Sequence, residues 1–310
     1  MKFLSGKNME NDLSMGAAWM NGKVLPISQA MIPVNDWGLV RSDITYDVVP
    51  VIDGAFFRFD EYLARFLSSM EDLHLDPGMS KRDIKAALHQ MVGKSSLRDS
   101  YVAMVCSRGK PKIAGSRDPR DCENHFFAWC VPYVHIIKPE IVEQGATAWI
   151  AQNAYRIPEN SVNPLVKNYH WGDFTQGIFE AKDKNYETVI LLDYDGNVTE
   201  GPGFNVFAVK DKVLITPDKG VLAGVSRKTV LEMAEHLGIN TSVRSLSVEE
   251  LLEADEVFLS SSGGGVIPII RVNETIFGNG ASGPISVQLN ETYWKWTTLE
   301  KYRDPIDYAL

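Results

Sequence analysis

Cysteine is scarce in this sequence. Cys106, Cys122 and Cys130 are the only three among 310 residues. An odd, widely spaced set excludes a disulfide framework and offers no metal-ligand spacing, so no metal is expected and the thiols suit a reducing compartment. Long apolar runs are missing too. Nothing approaches the length of a membrane span, and Met1 to Ser14 holds no leader-like apolar stretch, so a cytoplasmic location is expected and no membrane partner. The four Asn-X-Ser/Thr sequons, at Asn197, Asn240, Asn273 and Asn290, carry no weight without secretion. Positive charge is also short: 31 Lys and Arg stand against 40 Asp and Glu, a net charge of -9. That balance argues against nucleic acid and against an anionic membrane surface. Internal repeats and low-complexity segments are absent.

What is present is ordinary for a globular protein, with 45% hydrophobic and 23% charged residues. A chain of 310 residues is long enough for two cores. Hairpin signals open it: Asn21-Gly22 between apolar runs, then Asp53-Gly54 inside Val49 to Phe59. Asp36 to Tyr46 reads as a loop leading into a strand. A helix is expected from Asp60, with Leu63, Phe66, Leu67, Met70 and Leu73 as its buried stripe, and another from Ser80. Arg65 flanks the first stripe, where its guanidinium can reach round to a cleft. Tyr101 to Ser107 and Asn124 to Ile136 read as strands joined by the basic loop Arg108 to Arg120. That loop is either a solvated charged connection or a gate that attracts carboxylates. Lys138 to Gln144 reads as a linker, and strands and helices alternate more regularly beyond it, with a helix expected over Asn168 to Asp183. The pattern is α+β in two domains, with boundaries expected at 1–137, 138–145 and 146–310.

Three groups of residues suggest chemistry. Lys167 sits among Leu165, Val166, Tyr169 and Trp171. A lysine in a partly apolar pocket can act as a neutral amine nucleophile toward an aldehyde, although it can equally snorkel from a helix end. Gly224-Val225-Ser226 opens a helix, and Ser261-Ser262 stands beside three glycines. Both offer amides and hydroxyls to a phosphate, for which Arg65 could be the bidentate partner. Glu200, between a turn and two glycines, could point at a heteroaromatic nitrogen. Gly201 and Gly203 lack the third glycine and the following helix of a dinucleotide loop. Pyridoxal 5'-phosphate carries an aldehyde, a phosphate and a pyridine nitrogen, and would use all three groups.

The same segments carry a resemblance. Glu61 to Arg65, Lys167-Asn168-Tyr169, Glu200 to Asn205, Leu222 to Arg227 and the Ser261-to-Pro268 loop resemble the fold type IV pyridoxal-phosphate enzymes, the branched-chain and D-amino-acid aminotransferase superfamily. The similarity runs from about Trp19 to Trp296. Ser42 to Val48, Lys167 to Asp173 and Gly264 to Ile269 are most similar to the (R)-selective amine:pyruvate transaminases. The resemblance implies a small N-terminal α/β domain and a larger, cofactor-binding C-terminal domain with a β-barrel-like sheet. It implies Lys167 as Schiff-base lysine and proton carrier, and Glu200 as partner of the pyridinium. Arg65, Leu222, Gly224, Val225, Ser226 and Ser262 would surround the cofactor. Tyr46, Val48, Tyr101, Ala103, Trp171 and Ser261 would line the substrate pockets. The arginine that some members use for a substrate carboxylate falls near Ala114, leaving Arg117 or Arg41 as substitutes. Ping-pong transamination from a small-molecule amine donor to a keto-acid acceptor would follow, in a homodimer that shares active sites. Branched-chain or D-amino-acid transamination and an aminodeoxychorismate-type lyase are the alternatives.

Overall fold

The computed structural model describes residues 12–309. The leader-free reading of the first residues therefore lies largely outside the described residues. Two compact units form. The first extends to Val134 and takes back Lys167–Tyr169 and the stretch from Glu300 onward.

In the first unit, Asn21 and Gly22 both adopt positive φ, 49° and 78°. That backbone suits the tight turn joining β1 (Ala17–Met20) to β2 (Lys23–Pro26). The expected loop at Asp36 to Tyr46 contains a short helix, α1 (Trp37–Arg41), because the buried Asp36 carboxylate accepts the Gly38 amide and caps it. Strands β3 (Ile44–Ile52) and β4 (Ala55–Phe57) turn at Asp53-Gly54. Helix α2 (Phe59–Asp72) buries Tyr62, Leu63, Phe66 and Met70. Ser80 and Asp83 form a full capping box for α3 (Lys81–Ser95). Strands β5 (Ser100–Pro111) and β6 (Cys122–Pro132) follow. Among the described residues these make a seven-stranded antiparallel sheet whose order runs Arg303–Pro305, β4, β3, β5, β6, β1, β2.

The sequence puts Arg108 in the basic loop, whereas the structure places it in β5. Its buried guanidinium donates to Asp43 from Nε at 2.9 Å and from Nη2 at 3.0 Å, and to the His74 carbonyl at 2.7 Å. A buried arginine needs such partners, and these tie β5 to the end of α2. The connecting loop is accordingly shorter than expected. All three cysteines are free thiols. Burial pushes the Cys106 thiol up to about 12, the direction expected of an inert packing cysteine.

The second unit comprises His135–Val166 and His170–Leu299. The expected linker begins with a helix, α4 (Pro139–Gln144), since Pro139 occupies a first-turn position where its missing N–H costs nothing. Strand β7 (Ala146–Tyr155), helix α5 (Gly172–Asp183), β8 (Thr188–Leu192), β9 (Glu200–Gly201), β10 (Phe204–Lys210) and β11 (Val213–Thr216) come next. Then follow α6 (Val225–His236), β12 (Thr241–Val243), α7 (Val248–Leu252), β13 (Glu256–Ser261), β14 (Gly265–Val272), β15 (Thr275–Ile276) and α8 (Pro284–Trp296). The sheet is a curled half-barrel ordered β12, β11, β10, β13, β14, β7, β8, with β9 on β10 and β15 on β14. Ile150, Ile190, Val206, Leu259 and Ile267 fill its core.

Two boundaries differ from the expectation. The first unit ends at Val134 rather than 137, and residues from Glu300 return to it because Arg303–Pro305 pairs with β4. Helix α8 is not foreshadowed by the sequence pattern. Its buried stripe is narrow, Leu289, Tyr293 and Trp296, on an otherwise polar segment. Among the described residues no helix is long and apolar enough to cross a membrane, and no cluster of three or more His, Cys, Asp or Glu side chains could hold a metal ion.

Candidate active site

Lys167 lies on an extended stretch, and the helix expected from Asn168 starts only at Gly172. Asn168 bridges to Thr45 on β3. The Thr45 hydroxyl donates to the Lys167 carbonyl at 2.6 Å, and the Tyr46 amide donates to it at 3.3 Å. From below, the Lys167 amide donates to Ser69 Oγ of α2 at 3.3 Å. The backbone of the lysine is thus held by a strand and a helix of one unit. Of the apolar neighbours the sequence suggested, Leu165 is more than half exposed and Val166 is buried. Lys167 Nζ sits 4.7 Å from the centre of the Tyr46 ring, and Tyr169 stacks on that ring at 4.0 Å.

Alternation along β3 sorts its side chains. Ile44, Tyr46 and Val48 share a face with Ala103 and Val105 of β5, flanked by Tyr101, Phe127 and Trp129. Register pairs Val48 with Ala103, and Pro50 with Tyr101. Burial raises the Tyr101 phenol, with the Tyr46 and Asp47 charges adding to it, so Tyr101 stays neutral. Asp47 is wholly buried, and Arg65 of α2 grips it with Nε at 2.7 Å and Nη2 at 2.6 Å. Burial opposes the Arg65 charge, but the Asp47 carboxylate more than offsets it, so the guanidinium is held above its ordinary range.

The other two candidate arginines are placed differently. Arg41 ends α1 and lies 3.3 Å from the centre of the Trp37 ring, while Arg117 is exposed on the loop between β5 and β6.

The second unit holds the carboxylate and the phosphate-type donors. Glu200, 5% exposed, accepts the Leu222 amide at Oε2, 2.9 Å away. Its Oε1 accepts Arg156 Nε at 3.1 Å. Asn205 opposes Glu200 across β9 and β10 and donates to the Leu222 carbonyl at 3.0 Å. A Cβ at Gly224 would collide with Asn205 Oδ1, so glycine is required where the loop packs on this hairpin. Gly224 is the N-cap of α6, and no side chain caps the helix. Val225 and Ser226 are buried in its first turn, where amides face an anion most favourably. Ser261 Oγ donates to the Gly203 carbonyl at 2.8 Å and accepts the Gly263 amide at 3.1 Å, holding the loop that carries the half-buried Ser262. Trp171 is the N-cap of α5 and packs edge-on against Phe174.

The family profile described as amino-transferase class IV matches residues 45–272, well over half of the chain. The chain is a class IV aminotransferase. It is 29% identical over 273 residues to a D-alanine aminotransferase of Bacillus licheniformis, a match covering 86% of this chain and 92% of that protein. The crystal structure of a branched-chain aminotransferase from the archaeon Thermoproteus uzoniensis with norvaline superposes with a TM-score of 0.85 at 26% identity, over 94% of this chain and 99% of that one. The branched-chain amino acid aminotransferase of Escherichia coli shares the fold, with a TM-score of 0.88 at 24% identity over the same fractions. This aminotransferase therefore has the fold expected for type IV pyridoxal-phosphate enzymes. The family's cofactor is pyridoxal 5'-phosphate.

The residues fit that cofactor in the chemistry of their donors. A twelve-residue helix without a side-chain cap offers amides and the Ser226 hydroxyl to a phosphate, a buried carboxylate suits a protonated ring nitrogen, and a lysine suits an aldehyde. Sequence reasoning missed Asp47, Arg156 and Asp173 as participants. A charged residue inside the otherwise apolar run Ile44 to Ile52 was the available signal for Asp47, because a strand buries such a group only with a partner. Arg156 gave no comparable signal, since its partners lie 17 and 44 positions away.

Proposed function

We propose that this aminotransferase moves the amino group of an (R)-configured primary amine, such as 1-phenylethylamine, to a keto acid such as pyruvate by a ping-pong sequence. Lys167 is its catalytic residue. Arg65, Val225, Ser226 and Ser262 hold the phosphate, with Gly224 and Leu222 shaping the loop, and Glu200 faces the ring nitrogen. Tyr46, Val48, Tyr101, Ala103, Trp171 and Ser261 border the substrate. When bound, pyridoxal phosphate supplies the aldehyde that receives the amino group and the ring that takes up the electron pair released at the substrate carbon. The Lys167 amine carries the proton between the two carbons, and a carboxylate at Glu200 keeps the ring nitrogen protonated.

The observation that carries the amine reading is the face of β3 and β5. Tyr46, Val48, Tyr101 and Ala103 offer aromatic and apolar surface. Such a face favours an aryl group. The relatives' names favour a second reading, transamination of branched-chain or D-amino acids. Purified protein given pyruvate and each enantiomer of 1-phenylethylamine is expected to release acetophenone and alanine from the (R) form. Turnover confined to branched-chain amino acids or to D-alanine would establish the second reading. An amine donor consumed without a stoichiometric amino-acid product would point to a lyase.

We also propose a homodimer. The exposed Met31, Val34, Leu39, Val40 and Ile113 of the first unit support it, as an apolar set that a second copy would cover.

Pyruvate still needs a cation for its carboxylate. Arg108 is locked between Asp43 and the Leu73 and His74 carbonyls that follow α2, and Arg41 lies on Trp37. Arg117 is exposed on its loop and is the better placed to approach. Arg117→Ala is expected to raise the KM for pyruvate roughly ten- to a hundredfold while sparing the half-reaction with 1-phenylethylamine. Normal pyruvate kinetics in Arg117→Ala, beside a failing Arg41→Ala enzyme, would move the role to Arg41.

A further inference from the structure

The loop that leads into α6, residues 217–224, is closed on itself by a side chain. Arg227 is the third residue of the helix, and its guanidinium reaches back to the other end of the loop. Nη2 donates to the Pro217 carbonyl at 2.7 Å, and Nε donates to Thr216 Oγ1 at 3.3 Å. Thr216 is fully buried at the end of β11, and its hydroxyl donates to the Val206 carbonyl of β10 at 2.8 Å. One side chain thus ties the start of α6 to β11 and, through Thr216, to β10. The far side of the loop is tied separately. Leu222 is held by Glu200 and Asn205 of the β9–β10 hairpin, and its carbonyl also accepts the Gly224 amide at 2.8 Å.

Helix formation does not explain an arginine at this place. A cation in the first turn opposes the helix dipole, and the first turn of α6 has no acidic residue to offset it. Burial lowers the guanidinium below its ordinary range, with Asp218 and then Glu200 working the other way. The two acceptors do explain it, because the planar fork of a half-buried arginine can meet both at once. Between the tie at Leu222 and the clamp at Arg227 lie Gly224, Val225 and Ser226. Backbone donors serve a ligand well only when held to within about 0.5 Å of the productive geometry, which supporting hydrogen bonds provide.

We infer that Arg227 is a positioning residue for the cofactor phosphate: its fork, spanning Thr216 and Pro217, holds the start of α6 so that the donors of Val225 and Ser226 stay where the phosphate needs them. It acts through the backbone and not by contact with the phosphate. The inference rests on the reading of Val225 and Ser226 as phosphate ligands.

The test uses the full chain stripped of cofactor and compares its affinity for pyridoxal phosphate with that for pyridoxal, which lacks the phosphate. The ratio of the two affinities measures what the phosphate contributes. Arg227→Met keeps an unbranched side chain without donors, and is expected to lower the ratio roughly tenfold while the pyridoxal affinity stays near native. Arg227→Lys keeps the charge but cannot form the fork, and is expected to lower the ratio nearly as far. A native ratio in Arg227→Lys would overturn the inference, because charge alone would then suffice, and this variant decides the matter if Arg227→Met does not fold. A native ratio in Arg227→Met would overturn it as well. So would an equal loss of affinity for both ligands, since Arg227 would then support the fold at large. Ser226→Ala tests the underlying reading separately and is expected to lower the ratio severalfold. A native ratio in Ser226→Ala would remove the first turn of α6 from the phosphate site, whatever the Arg227 variants do.

Discussion

Lys167→Ala is expected to lose turnover by about 10⁴-fold or more while keeping the fold. That loss sits at or beyond the upper end of what one positioned acid–base group contributes, because the same amine would be both nucleophile and proton carrier. The fold should survive because the structure holds Lys167 through its backbone. Its carbonyl accepts from Thr45 and Tyr46, and its amide donates to Ser69. None of those bonds involves the side chain. The contact of Nζ with the Tyr46 ring is forfeited, worth about 0.5–2 kcal/mol. Borohydride treatment of the native holoenzyme followed by peptide mapping should leave the cofactor on the Lys167 peptide. A label on Lys182 or Lys184 would remove Lys167 from the chemistry, and so would an alanine variant with native rates.

Tyr46 gives a reason why this lysine sits where it does. A flexible four-carbon side chain loses much rotamer freedom when ordered, and an aromatic wall recovers part of that cost. The wall is built across sequence: Tyr46 from β3 and Tyr169 from the lysine's own stretch stack with nearly parallel rings. The sequence around Lys167 suggests an apolar setting, and Tyr46 supplies an aromatic contact to its Nζ. That ring, however, comes from a strand more than a hundred positions away, and local composition cannot reveal such a neighbour.

The same division runs through the rest of the molecule. Hairpin turns at Asn21-Gly22 and Asp53-Gly54 were legible because their backbones demand those residue types. The buried stripe of α2 was legible from its period, and the α6 start from Gly224-Val225-Ser226. What stayed hidden was who pairs with whom. Arg108 looked like a loop cation because glycine and proline follow it closely, yet β5 continues to Pro111 around a register shift and buries it against Asp43. Residues from Glu300 onward carried no mark of joining the first unit, because strand pairing is set by partners and not by the strand alone. Glu200 was picked out by its glycines, but its burial and its tie to Arg156 are tertiary facts.

Asp47→Ala is expected to destabilise the protein by about 3–5 kcal/mol, the cost of leaving one member of a buried ion pair without its partner. Asp47 is fully buried, and Arg65 binds it through two nitrogens at 2.6 and 2.7 Å, so the alanine variant takes a bidentate carboxylate from a largely buried guanidinium. Replacing both charges by apolar groups should behave differently. In Asp47→Leu combined with Arg65→Met no charge is left without a partner, so most of the lost stability should return. If Arg65 also serves the phosphate, that double variant will fold well and bind pyridoxal phosphate poorly. Denaturant unfolding of the cofactor-free protein separates these effects, because a bound cofactor would itself stabilise the native state by mass action. A double variant as unstable as Asp47→Ala would show that packing around Asp47, and not its charge, supports β3 and α2. A double variant with native cofactor affinity would take Arg65 out of the phosphate site and leave it as the clamp that holds α2 on the strand bearing Tyr46.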